Sequence, residues 1–199
     1  MNIAIIGAGN IGTTLGSKWS AAGHAVQYGV RAPADGKFAA LRAEAAVVDV
    51  AAAIDAAEVV VLAVPGAAVA DVAAEHGAQL AGKIVVDTTN NMRGATLHNV
   101  DILAANAPGA IQVRAFSTLG GENFADPVID GVQVDLFYCG DPAARAAAEQ
   151  LIADVGLRPV YVGGLDTAAT VDGVARLWFA LAFGQGRGRR IAFKLLAEQ

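Results

Sequence analysis

Cysteine is almost absent from this chain of 199 residues, with Cys139 standing alone. A single cysteine excludes an internal disulfide and any multi-cysteine metal site, and its place at the end of an apolar run reads as a small core hydrophobe. Charge is scarce too. Only 17% of residues are charged, and the net value of −5 argues against a nucleic-acid or anionic-membrane surface as a partner. The three histidines, His24, His76 and His98, share no metal-ligand spacing and read as surface residues, so no metal is expected. No apolar run reaches the ~18–20 residues that span a bilayer. "LWFALAF" (177–183) comes nearest and is too short. The chain reads as a strand from Met1, with no room for a signal sequence, and a cytoplasmic protein is expected. There is no G-x-S-x-G and no carboxylate pair at a strand end, so no catalytic side chain can be named.

Hydrophobic residues make up 55% of the chain, enough for a large core in one domain spanning 1–199. Short β-branched runs alternate with alanine-rich stretches. "NIAIIG", "AVQY", "AAVVDV", "EVVVLAV" and "KIVVD" read as five strands. Between them lie helical patterns, the first with Ile11, Leu15 and Trp19 on one face and Gly23 as its stop. The second half is looser. "VRAF", "VDLFYCG" and "RPVYVG" read as strands. A helix is expected from Asp141 as N-cap, through Pro142, to Gly156 just past its end. From Asp166 the pattern is helical, broken at "GQGRG" (184–188) and helical again through Ala197. The expected fold is α/β: a Rossmann-like, doubly wound, mostly parallel sheet with a helical C-terminal extension over about 166–199.

The sharpest signal is "IAIIGAGNIG". Gly7, Gly9 and Gly12 form G-x-G-x-x-G directly after a strand and open a helix. The first glycine permits the turn, the second lets a pyrophosphate approach the backbone, and the third lets helix and sheet pack closely. Asn10 and Ile11 then lie at the helix start, where free N–H groups favour an anion, and Asn10 could cap or touch phosphate. Families that bind NAD place an acid about 20 residues on, for the ribose hydroxyl. Here the strand end offers Val30 and Arg31. A guanidinium there suits a 2′-phosphate, and Lys37 could add charge, so NADP is expected over NAD. The alternative is a solvated arginine, and Asp35 could swing back toward the ribose.

"IGAGNIG", "VRAP", "VLAVP", "IVVDTTNNM", "VRAFSTLGGENFADP" and "GRRIAFKLL" together make the chain resemble the NADP oxidoreductases that use the 8-hydroxy-5-deazaflavin coenzyme F420. The likeness runs along nearly the whole chain. It implies NADP(H) as coenzyme and a deazaflavin or flavin as second substrate. It also implies a nicotinamide bordered by Val64 and Pro65, with Ser117, Thr118 and Leu119 closing the pocket opposite. Val30 stands where the family often has serine, which removes a hydroxyl donor, and Ser117 where it often has Asn or His. Two readings stay beside this one: an NADPH-dependent reductase of a small carbonyl or imine, and a non-catalytic NADP(H) sensor.

Two further features complete the reading. Arg187, Arg189, Arg190 and Lys194 could attract the anionic tail of a deazaflavin coenzyme, or could form a solvated or salt-bridged face. "RLWFALAF" is apolar nearly all round, which suggests a core or a homodimer seam.

Overall fold

A computed structural model describes residues 1–198; Gln199 lies outside the described residues. The described residues form ten strands and eight α-helices, which alternate except where three strands follow one another after the sixth helix. The first half runs β1 (Asn2–Ile6), α1 (Asn10–Ala21), β2 (Ala25–Gly29), α2 (Ala39–Glu44), β3 (Ala46–Val48), α3 (Val50–Asp55), β4 (Val59–Leu62), α4 (Val69–His76) and β5 (Ile84–Asp87). The second half runs α5 (Val100–Asn106), β6 (Ile111–Arg114), α6 (Glu122–Ala125), β7 (Val128–Ile129), β8 (Val132–Gln133), β9 (Asp135–Gly140), α7 (Arg145–Asp154), β10 (Arg158–Gly163) and α8 (Ala168–Phe179).

Eight strands form one sheet in the order β10-β9-β6-β5-β4-β1-β2-β3. Within it β3-β2-β1-β4-β5-β6 is the doubly wound parallel order, and only the β6–β9 pair is antiparallel. The expected Rossmann-like fold is therefore the one observed. The apolar strands are continuous rather than alternating because both faces are covered. Ile3, Ile5, Val59 and Val61 enter the core that holds Leu15 and Trp19. Their neighbours Ala4, Ile6, Val60 and Leu62 enter the opposite core with Leu80 and Leu103. Helix α1 stops as expected. Gly23 has φ +90°, its N–H bonds Ser20 O, and His24 N–H reaches back to Trp19 O at 3.0 Å, a two-bond glycine cap. Cys139 is fully buried, and burial pushes its thiol up to about 11, which keeps it protonated and unreactive at neutral pH. No described helix is long and apolar enough to cross a membrane.

Three expectations need correction. The histidines are not surface residues, for all three are half-buried. His24 sits between the N-terminal amine and Asp154, and His76 pairs with Gln79. A two-stranded hairpin, β7–β8, stands outside the main sheet where no strands were expected. Finally, the helical pattern from Asp166 ends at a single π-turn over Ala180–Gly184, and residues 186–198 contain no helix. Arginines at a helix start oppose its dipole, and here they have better partners. Arg190 holds Asp126 and Val128 O, and Lys194 holds Gln133 O and Asp135. The carbonyls of this segment accept from outside it, Ile191 O from the Trp178 indole at 2.9 Å and Arg189 O from Asn123. The segment is an extended strap, held by charge.

That strap carries an acid-sensitivity. Burial raises the Asp135 carboxyl, but hydrogen bonds from Arg158, Lys194 and the Leu195 N–H outweigh it and leave Asp135 below the usual carboxylate range. Arg189 likewise holds Glu122 low. A depressed carboxylate stabilises the fold above its unfolded pKa, and the gain is lost as pH falls through the folded value. Thermal melts should therefore show stability falling as pH drops below the ordinary carboxylate range of ~4, where the unfolded chain takes up protons before the folded one does. Asp135→Asn should lower the melting temperature at neutral pH and flatten that acid slope. An unchanged slope would remove Asp135 from the explanation.

Candidate coenzyme site

The turn between β1 and α1 is built by close approach. Gly7 has φ +108°, and a Cβ there would lie 2.6 Å from Ala63 O on β4's end. A Cβ at Gly12 would run into Gly7 O and come within 3.1 Å of Ile5 Cγ2. Gly9 is different. Its backbone is extended (φ −83°, ψ −175°), and a Cβ there would meet no protein atom within 4 Å. The fold does not require glycine at position 9, so the open space beside it is available to a ligand. The first bond closing α1 is Thr13 N–H to Gly9 O at 2.9 Å, so the N–H groups of Asn10, Ile11 and Gly12 have no acceptor in the helix. The Asn10 side chain does not cap it. An anion fits here: space, free donors and the positive end of a twelve-residue helix converge.

Beyond this turn, at the carboxyl ends of β1, β4 and β5, a cleft opens. Ile11, Val64, Pro65 and Leu119 line it, together with Thr88, Thr89, Asn90 and Phe116. Gly120 and Gly121 also line it, and the wall contributed from α8 and the C-terminal strap consists of Trp178, Phe179 and Arg189. Gly121 packs directly on the helix start: a Cβ there would be 2.9 Å from Ile11 Cδ1 and 3.1 Å from Asn10 Nδ2. Ser117 and Thr118 do not line the cleft. Both are buried behind it, and their hydroxyls have no partner. The expected strand "VRAF" ends at Arg114, and Phe116 takes a left-handed φ of +59°, rare for an aromatic residue, which bends the chain over α1.

At the corner after β2, Arg31 is exposed and without an ion pair among the described residues, while Val30 is only 7% exposed and spends its N–H on Val48 O. A hydroxyl at position 30 would therefore be buried rather than offered to a phosphate. Lys37 is engaged by Asp35 at 3.1 Å. That contact also holds the Asp35 carboxylate, which caps Lys37 N–H at 3.0 Å, and Arg42 fixes the loop through Pro33 O and Asp35 O. Arg31 is thus the free cation of this corner. The basic C-terminal cluster is largely spent inside the molecule: Arg189 on Glu122, Arg190 on Asp126 and Lys194 on Asp135. Only Arg189 among them also reaches the cleft.

The sequence reading missed the polar group beneath the cleft floor. Arg114, at the end of β6, is fully buried between Asp87, at the end of neighbouring β5, and Asp172 of α8. A signal existed: an arginine inside an apolar strand, "IQVRAF", demands a buried partner, and "IVVD" supplies one on the adjacent strand. Asp172 lies 58 residues away in sequence, and only topology brings it there.

Residues 2–91, which carry the glycine turn and the corner, match the family model described as NADP oxidoreductase, coenzyme F420-dependent. A candidate F420-dependent NADP reductase from Arthrobacter sp. FB24 is similar over 99% of this chain and 100% of its own, at 25% identity and a TM-score of 0.85. A protein of unassigned function from Sinorhizobium meliloti is similar over 100% of this chain and 96% of its own, at 27% identity and a TM-score of 0.72. An imine reductase from Aspergillus terreus, solved with NADPH4 and a dibenzazepine, shares the fold at 21% identity and a TM-score of 0.72. The chain covers 62% of that protein's length.

Proposed function

We propose that this chain, whose residues 2–91 match the F420-dependent NADP oxidoreductases, binds NADP(H) and passes a hydride between it and a deazaflavin or flavin. The observation that carries the reading is the pairing of an open phosphate turn at Gly9 with a cleft whose lining offers no acid or base. His, Lys, Tyr, Asp and Glu are absent from it among the described residues, and Arg189 is its single charged side chain. Reduction of a carbonyl moves a proton as well as a hydride and calls for a positioned donor. Hydride transfer between two rings leaves its charge spread over the acceptor ring, which takes its proton from solvent without a positioned donor, so it asks the protein mainly for binding and orientation.

The bound coenzyme supplies the hydride. The chain's own residues do the rest. The N–H groups of Asn10, Ile11 and Gly12 face the pyrophosphate, and Arg31 faces the 2′-phosphate. Val64 and Pro65 border the nicotinamide, with Leu119 opposite. Ser117 and Thr118 support that wall from behind. Holding two rings at reacting distance can remove as much as ~7–11 kcal/mol of barrier. Two exposed apolar side chains, Leu177 on α8 (52% exposed) and Phe183 on the π-turn after it (57% exposed), support a homodimer in which a second copy covers this end of the helix.

Two measurements test the reading. NADPH should bind more tightly than NADH, and addition of a deazaflavin or flavin should consume it. Turnover of small imines or carbonyls instead would favour the reductase alternative. Binding with no acceptor at all would favour a sensor. Arg31→Asp should weaken NADPH by ~1–3 kcal/mol, about 5–150-fold, while NADH changes little. Equal loss for both coenzymes would show that Arg31 does not read the 2′-phosphate.

A further inference from the structure

The guanidinium of Arg114 uses all five of its N–H donors. Nε donates to Asp172 Oδ1 at 3.3 Å, and Nη2 donates to the same oxygen at 2.9 Å and to Asn90 Oδ1 at 2.8 Å. Nη1 donates to Asp87 Oδ2 at 3.4 Å and to Thr89 O. The partners are organised in turn. Asp172 Oδ2 accepts the N–H of Leu97 at 3.0 Å and of His98 at 2.9 Å. Asp87 accepts from the Thr89 N–H, the Thr89 hydroxyl and the Asn99 N–H. Asn90 Nδ2 donates to Ser117 O at 3.0 Å, across to the segment behind the opposite wall.

One buried side chain therefore links three parts of the cleft: it touches Thr89 and Asn90 directly, reaches Ser117 through the Asn90 amide, and reaches α8 through Asp172. Thr89 and Asn90 are the cleft's floor. Ser117 lies in the segment leading to Leu119. Asp172 stands on α8 two turns before Phe179, on the same helical face, and Phe179 with Trp178 belongs to the wall that α8 contributes. Buried ion pairs are poor sources of stability compared with apolar packing, so a fully satisfied one at the carboxyl edge of the sheet calls for another explanation. We propose that Arg114 is a positioning residue: it sets the spacing between floor and wall at the acceptor side of the nicotinamide, without touching either ring. The inference rests on the coenzyme reading above, and concerns the half of the site that the glycine turn does not form.

The test is Arg114→Lys, which keeps the charge but offers three donors in place of five, with Asp172→Asn as a second variant. NADPH affinity, which depends on the Gly9 turn and Arg31, should stay within about threefold of the parent. Single-turnover hydride transfer should fall by about tenfold or more, because a misplacement of one ångström is enough for that. The fluorescence of bound NADPH should shift toward that of the free coenzyme, as the ring loses its dry, fixed contacts. A folded Arg114→Lys with parental rate and parental emission overturns the proposal. If it does not fold, Asp172→Asn decides by the same readouts. If neither folds, the network is structural only and the proposal falls. Should the parent bind NADPH yet reduce no deazaflavin or flavin, the assigned acceptor fails, while the emission comparison still judges Arg114.

Discussion

Gly9→Asp will leave the free protein as stable as the parent, or slightly more stable, and will all but abolish NADPH binding. Both halves follow from one geometry. Position 9 is the N-cap of α1, its backbone is extended, and no protein atom lies within 4 Å of a Cβ placed there. Aspartate is among the best N-cap residues, a few tenths of a kcal/mol better than glycine. It also puts a negative charge beside the positive end of the helix. The fold has no reason to object. The coenzyme does, because the same carboxylate would occupy the pyrophosphate's place and claim the N–H groups that now lack acceptors. Loss of two or three charge-assisted hydrogen bonds, plus repulsion, gives ~3 kcal/mol or more, at least about a hundredfold in Kd. Calorimetric melts of the free protein and NADPH titrations measure the two effects separately. A Gly9→Asp protein that binds NADPH like the parent would show that the pyrophosphate does not use this turn. A destabilised one would show that glycine is there for the fold. At Gly12 the two effects could not be separated, since a side chain there strikes Gly7 O and Ile5 in the free protein.

The contrast explains why this part of the site was legible in the sequence. The turn is local: three glycines, a strand before and a helix after lie within twenty residues, and each has its own steric reason. The first five strands were legible for a similar reason, since parallel strands buried on both faces read as unbroken apolar runs. The second half depends on distant partners. β7 and β8 are two residues each, too short to show a period of two. "RRIAFKLL" has helical spacing, yet Asp126, Asp135 and Trp178 draw its side chains and carbonyls into an extended strap. Ser117 and Thr118 were expected on the pocket surface. The left-handed turn at Phe116 instead buries them and presents Leu119. No local pattern announces that turn. Arg114 was placed in a strand but left without a role, because Asp87 and Asp172 meet it only once the sheet is ordered and α8 is docked.

That meeting sets the second large effect. Asp172→Leu should destabilise the protein by ~3–5 kcal/mol, because it strips the fully buried Arg114 of two hydrogen bonds and the nearer of its two carboxylates. For a domain of this size that is a drop of roughly 10 °C in melting temperature. The N–H groups of Leu97 and His98 lose their acceptor in the same step. Arg114→Met combined with Asp172→Leu should recover part of the loss, since an apolar pair can replace a buried ion pair and Asp87 keeps its bonds from Thr89 and Asn99. The double variant should therefore be less destabilised than the sum of the single ones by ~1–3 kcal/mol. Additive losses would mean that Arg114 and Asp172 do not act as a pair. The same double variant separates stability from positioning. Its apolar pair can fill the space between β6 and α8 but offers nothing to Thr89 O or Asn90 Oδ1. A protein restored in stability should thus remain slow in hydride transfer, with NADPH affinity near the parent's. If stability and rate return together, packing alone sets the cleft, and the guanidinium has no positioning role beyond holding α8 in place.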